Sequence, residues 1–199
     1  TSWQQFFSRP AGEAPSIGML DDTSTVMDLA SIALGKDYCD ANPETLKGIQ
    51  ELLTKQKPFV KVYGATGYIE RLAANEVALQ MAWSGDAYRA RHDNPAIKYV
   101  YPKEGMIGWM DNVAVPTGAP DLENAKKFMN FLMDPENIAL QQKYTGYQSA
   151  IAGSNKFLPS DVGDSPEFNP PADEKITFAP SCEEKATRAY DKIWTGLRQ

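Results

Sequence analysis

Histidine occurs once (His92) and cysteine twice (Cys39 and Cys182) in these 199 residues. A standard zinc site needs four clustered ligands, or three and a water, so the chain has too few soft ligands for one. It also has no phosphate-binding glycine loop and no nucleophile motif, and no cofactor is implied. Positive charge is in deficit: 20 Lys and Arg against 26 Asp and Glu leave a net charge of −6. That balance argues against nucleic acid, whose phosphates demand a basic surface. No apolar run approaches the roughly 20 residues a membrane helix requires. There is no internal repeat and no low-complexity tract. The chain opens Thr1-Ser2-Trp3 without an initiator methionine or signal peptide, and reads as a mature segment or a fragment. The missing targeting peptide is therefore uninformative.

Cys39 and Cys182 leave two readings open. They are either unrelated thiols or one long-range disulfide in an oxidising compartment, which would remove roughly 4–5 kcal/mol of entropy from the unfolded chain.

With 42% hydrophobic residues the chain has enough apolar surface to bury a substantial core. Residues 16–20 read as a strand running into Asp21-Asp22-Thr23, good caps for a helix stopped at Gly35. Asn42-Pro43 opens a second helix with Leu46, Ile49, Leu52 and Leu53 on one face. Residues 59–63 look like a strand, Gly64 and Gly67 mark a turn, and residues 68–74 a short helix. Alternation of Val77, Leu79, Met81 and Trp83 with smaller residues is the period-2 pattern of a strand. Residues 96–101 and 106–115 read as further extended segments. Asp121 starts a helix and Asp134-Pro135 restarts it towards Tyr144, with Gly146 as its stop. Residues 153–180 carry five prolines and read as a long loop with brief helical turns. Residues 183–197 form a closing helix. Strands alternating with helices predict an α/β fold with a largely parallel sheet.

Two aromatic–acid pairs lie 26 residues apart, Trp83-Ser84-Gly85-Asp86 and Trp109-Met110-Asp111. An indole face beside a carboxylate suits an organic ammonium group, because the ring quadrupole attracts the cation and the carboxylate adds a charge-assisted hydrogen bond. Asp22, Trp83–Asp86 and Trp109–Asp111 all follow strand candidates, where ligands of parallel sheets bind. Each has a plainer reading: core aromatics for Trp83 and Trp109, helix caps for Asp22 and Asp86, a surface turn for Asp111. Arg89 and Arg91 read as solvated or salt-bridged, and Tyr63 and Tyr68 flank the glycine turn near the same place.

The signatures GMLDD, ALQMAWSGDAYRAR, YPKEGMIGWMDNVAVP and KFMNFLMDPENIA…TGY resemble the periplasmic spermidine/putrescine-binding proteins of ABC transporters. The resemblance covers only the latter part of a family member. It implies a type II periplasmic-binding fold of two α/β lobes, here mainly the second lobe. Residues 1–110 would belong to that lobe, residues 111–152 would cross to the first lobe, and residues 153–199 would return. The first lobe would come from the rest of the protein or from a second chain. Helices near 121–145 would then lack their usual partner here.

Carried over by position, Asp22 and Asp111 match carboxylates that hold ligand amines, and Trp83 and Trp109 match stacking walls. Tyr147 matches an aromatic at the site edge, and Asp86 agrees with putrescine-type members. Thr25 departs from the pattern, standing where polyamine binders tend to carry a glutamate. The implied function is non-enzymatic capture of a small cationic amine in the periplasm and delivery to a membrane permease. Two rivals are a binder of an ω-amino acid such as γ-aminobutyrate, and a carboxylate-dependent carbohydrate enzyme, since Trp and Asp also line glycosidase clefts.

Overall fold

A computed structural model of the protein describes residues 2–8, 16–178 and 181–199. Helix α1 (Trp3–Phe7) is capped by Ser2, whose hydroxyl accepts from Gln5 N–H at 3.0 Å. Its Trp3 indole donates to the Gly105 carbonyl at 2.8 Å, tying the start of the chain to a distant turn. Strand β1 (Ile17–Met19) is buried along its whole length. Helix α2 (Thr23–Ala33) follows with Asp22 as cap, and α3 (Pro43–Gln56) with Asn42 as cap and Pro43 in its first turn. These are short polar acceptors placed where a helix start leaves N–H groups unpaired.

A single 3-10 turn leads into β2 (Val60–Tyr63), then α4 (Tyr68–Ala73), β3 (Leu79–Gln80) and α5 (Ser84–Asp93). Strand β1 lies between β2 and β3, and both pairings are parallel. The strand ends therefore point the same way, and the loops beginning at Leu20, Gly64 and Met81 all leave from one edge of the sheet. A second, two-stranded parallel pairing joins β4 (Met106–Gly108) to β5 (Ile176–Phe178). Between them run α6 (Leu122–Met133), α7 (Pro135–Thr145) and the single turn α8 (Ser160–Gly163). The chain closes with α9 (Glu184–Arg198), whose Ala186, Tyr190, Trp194 and Leu197 are buried at helical spacing.

Four expectations need correction. Residues 96–101 form no strand. Their alternation is real, with Tyr99 and Tyr101 partly buried and packed edge to face at 5.1 Å. The Tyr101 hydroxyl donates to the Pro166 carbonyl at 2.6 Å, so this extended segment is held by side chains and not by a ladder. The strands expected over 77–83 and 106–115 shrink to Leu79–Gln80 and Met106–Gly108, because only those residues find a paired neighbour. Conversely, Ile176–Phe178 is a strand within the proline-rich stretch that had read as a loop.

The core gathers Phe7, Ile17, Met19, Leu20, Val26, Met27, Ile49, Leu53 and Tyr190 under α2, α3 and α9. A disulfide between Cys39 and Cys182 ties the loop after α2 to the approach to α9, 143 residues further along the chain. On the chain-entropy account a loop of that length removes about 5 kcal/mol of unfolded-state freedom. Beside it the buried Asp28 accepts from Cys39 N–H at 2.9 Å and from the Tyr190 hydroxyl at 3.2 Å. Burial pushes the Asp28 carboxyl above its usual range, against the opposing pull of those two bonds.

Candidate functional site

Trp83 stands three residues past β3 and takes the N-cap position of α5 in an extended conformation. Trp109 follows β4 directly. Their rings meet at a centroid distance of 4.6 Å with planes at 67°. Tyr147 joins them from a third direction, 5.7 Å from Trp109 and also edge-on. Its backbone is aimed by Gly146, which ends α7 in the left-handed conformation (φ 77°) that favours glycine. Three rings from three separate loops thus make one continuous aromatic surface, and Trp109 keeps 43% of its own surface exposed.

The approach of Tyr147 depends on Gly85. A Cβ placed there would lie 2.6 Å from two Tyr147 ring carbons and 2.7 Å from the Thr145 carbonyl oxygen. The absent side chain is what lets the ring lie against the start of α5.

Asp86, in the first turn of α5, is only 8% exposed. The helix start favours its negative charge. Its carboxylate accepts a close hydrogen bond from the Tyr68 hydroxyl and another from the Tyr147 hydroxyl at 3.2 Å, and it pairs closely with the Arg89 guanidinium. Burial and the neighbouring Asp86 charge push the Tyr68 and Tyr147 phenols well above the ordinary tyrosine range, with Asp111 adding to the effect on Tyr147. Both therefore stay protonated, as hydrogen-bond donors, at physiological pH. Arg89 is raised in turn by its bond to Asp86. Asp111 is exposed.

Asp22 occupies the neighbouring helix start. Its Oδ1 accepts from Thr25 N–H at 2.8 Å and from the Ser24 hydroxyl at 3.0 Å, so Asp22 and Thr25 are joined in a cap. The adjacent Asp21 is paired with Arg198, whose guanidinium lies 5.0 Å from the Tyr63 ring and 5.5 Å from Trp194. Trp83, Asp86, Trp109 and Tyr147 are thus brought into one contact network, with the charge of Asp111 felt at Tyr147. Asp22 and Thr25 bond to each other rather than to that network. Tyr68, already placed near the site by its glycine turn, joins the network through a hydrogen bond to Asp86 that spans 18 residues and that the residue order did not predict.

A family model described as bacterial extracellular solute-binding protein matches residues 1–170. The chain belongs to that family. The family's description is that of extracellular proteins that bind a solute. The putrescine-binding periplasmic protein SpuD of Pseudomonas aeruginosa is 28% identical over 190 residues, 92% of this chain and 52% of that protein. The spermidine/putrescine-binding periplasmic protein of Escherichia coli is 30% identical over 173 residues, 87% of this chain and 49% of that one. A solved structure of a protein assigned as a spermidine/putrescine ABC transporter in Listeria monocytogenes superimposes with a TM-score of 0.88 at 26% identity. It covers all of this chain and 61% of its own. The fold is that of type II periplasmic binding proteins, and the chain spans about half the length of the curated relatives it matches.

Proposed function

We propose that the whole protein is a periplasmic receptor that captures a small cationic amine, putrescine- or spermidine-like, and hands it to the permease of an ABC transporter. The observation that carries this reading is the contiguous Trp83–Trp109–Tyr147 surface with an exposed Asp111 beside it. Ring faces attract an ammonium group and pack against a methylene chain, while Asp111 supplies the charge-assisted hydrogen bond. Asp22 contributes a second carboxylate from the neighbouring helix start, and Thr25 marks the edge of that subsite. Asp86 and Tyr147 complete the wall. The names of the bacterial relatives support the same ligand class.

The lobe division belongs to the same proposal: residues 1–110 and 153–199 in the second lobe, residues 111–152 crossing to the first. Helices α6 and α7 support it. No described residue of α6 is buried, and Leu122, Phe128, Phe131 and Met133 all stand exposed. On α7, Leu140 is 65% and Tyr144 83% exposed. An apolar surface of this kind marks a contact site, and here it fits the rest of the binding protein. Ligand contacts made only when the two lobes meet would then drive closure.

Calorimetry of the complete two-lobed protein with putrescine, spermidine and γ-aminobutyrate tests the reading. Micromolar or tighter binding of an amine, lost in Asp111→Ala, is expected. Binding of γ-aminobutyrate alone would refute the polyamine assignment, and turnover of a glycoside would remove the receptor reading.

A further inference from the structure

The site's two inner aspartates have different surroundings, and Arg89 makes the difference. Both oxygens of Asp86 are engaged inside the chain: Oδ1 by the Arg89 guanidinium, Oδ2 by the hydroxyls of Tyr68 and Tyr147. Asp111 carries no such partner among the described residues and faces solvent. Counting Asp86 and Asp111 as −1 each and Arg89 as +1, this half of the site carries a net charge of −1.

We propose that Arg89 sets the charge valence of this half-site: by neutralising Asp86 it leaves Asp111 as the one carboxylate for a ligand ammonium. This cluster therefore receives a single cationic head group, and any further ammonium must find its partner outside it, as at Asp22. Asp86 becomes a positioning residue that acts through Tyr147. Its Oδ2 fixes the phenol, and Gly85 leaves the ring room to lie beside Trp109. Arg89 is well placed to be varied, because 46% of its side chain is exposed and its removal opens no core cavity. This inference rests on the amine-binding reading above and specifies how many charges that site accepts.

The test is made on the complete protein, with putrescine (two ammonium groups) and spermidine (three) as probes. Arg89→Gln releases Asp86 and makes the half-site −2. The ratio of putrescine Kd to spermidine Kd is expected to rise about tenfold, and Arg89→Lys to bring it back within about threefold of the wild-type ratio. A ratio that stays within twofold in Arg89→Gln overturns the proposal. Should Arg89→Gln fail to fold, the two aspartates decide the matter. Asp86→Asn keeps an acceptor for both phenols and is expected to weaken putrescine binding only about 3–10-fold, against a hundredfold or more for Asp111→Asn. Equal losses in the two variants overturn the proposal. If the wild-type protein binds neither amine, the amine-receptor reading fails first and this inference falls with it. If it binds both and the ratio does not move, only the role of Arg89 fails.

Discussion

Replacing Gly85 by alanine adds one methyl group at the place where the aromatic surface is assembled. That methyl would meet the Tyr147 ring at 2.6 Å and the Thr145 carbonyl at 2.7 Å, both well inside van der Waals contact. The ring can swing away, but the Thr145 oxygen is backbone at the end of α7 and can move only with its helix. Overpacking of this kind costs about 1–3 kcal/mol. If the ring does swing, the Tyr147–Asp86 bond is lost too, and a hydrogen bond to a charged acceptor is worth about 1.5–3 kcal/mol. Half of that is a fair discount for the partly buried Tyr147, and alanine's better helix propensity returns a few tenths of a kcal/mol at a helix start. The net is about 1.5–4 kcal/mol, or roughly 3–16 °C in Tm at about 2–4 °C per kcal/mol for a chain of this size. Urea and thermal unfolding measure it, and near-ultraviolet dichroism reports the Trp109–Tyr147 contact. Gly196, exposed near the end of α9 with nothing within 4 Å of its would-be Cβ, is the internal control. There the same substitution should stabilise by a few tenths to about 1 kcal/mol. If Gly85→Ala leaves both the midpoint and the aromatic dichroism as they were, the packing argument for the site is wrong.

Reduction of the Cys39–Cys182 bridge, or Cys39→Ser, should cost about 5 kcal/mol on the chain-entropy account. Identical urea midpoints with and without reductant would contradict it. Asp28 is an acid whose carboxyl is raised by burial, so the folded state holds its proton more tightly than the unfolded state does. Its favourable contribution is complete below the ordinary aspartate range near pH 4 and is lost as pH rises through the raised folded value. Asp28→Asn, which keeps an acceptor for Cys39 N–H and the Tyr190 hydroxyl, should therefore compare better with wild type at pH 7 than at pH 3. The opposite order in urea titrations at the two pH values would show the sign to be wrong. Finally, the 199 residues alone should bind a hydrophobic dye through α6 and α7, and the complete two-lobed protein should bind much less. Equal dye binding by both would count against the lobe division.

Local chemistry was legible and long-range pairing was not. Asp22, Asn42, Asp121 and Asp134 all cap helices where the residue order predicts, since a cap involves only the next three residues. Strand ends depend on what a strand finds beside it. The alternation in 96–101 meets no ladder, while Ile176–Phe178, a triplet among prolines, meets Met106–Gly108 from 70 residues away. The site divides in the same way. That Trp83 and Trp109 converge followed from their common placement after strands. That Asp86 is engaged by Tyr68, Tyr147 and Arg89 did not, because two of those three partners are brought in by tertiary packing. Arg89, three residues along the same helix, was visible as an ion-pair candidate.

On this reading the indole faces and Asp111 together hold an ammonium group. A crystal structure of the complete protein grown with putrescine is the sharpest check. A ligand nitrogen is expected within about 3 Å of the Asp111 carboxylate, with the methylene chain lying on Trp83 or Trp109. A ligand bound elsewhere, with Asp111 turned to solvent and both indoles uncovered, would contradict it.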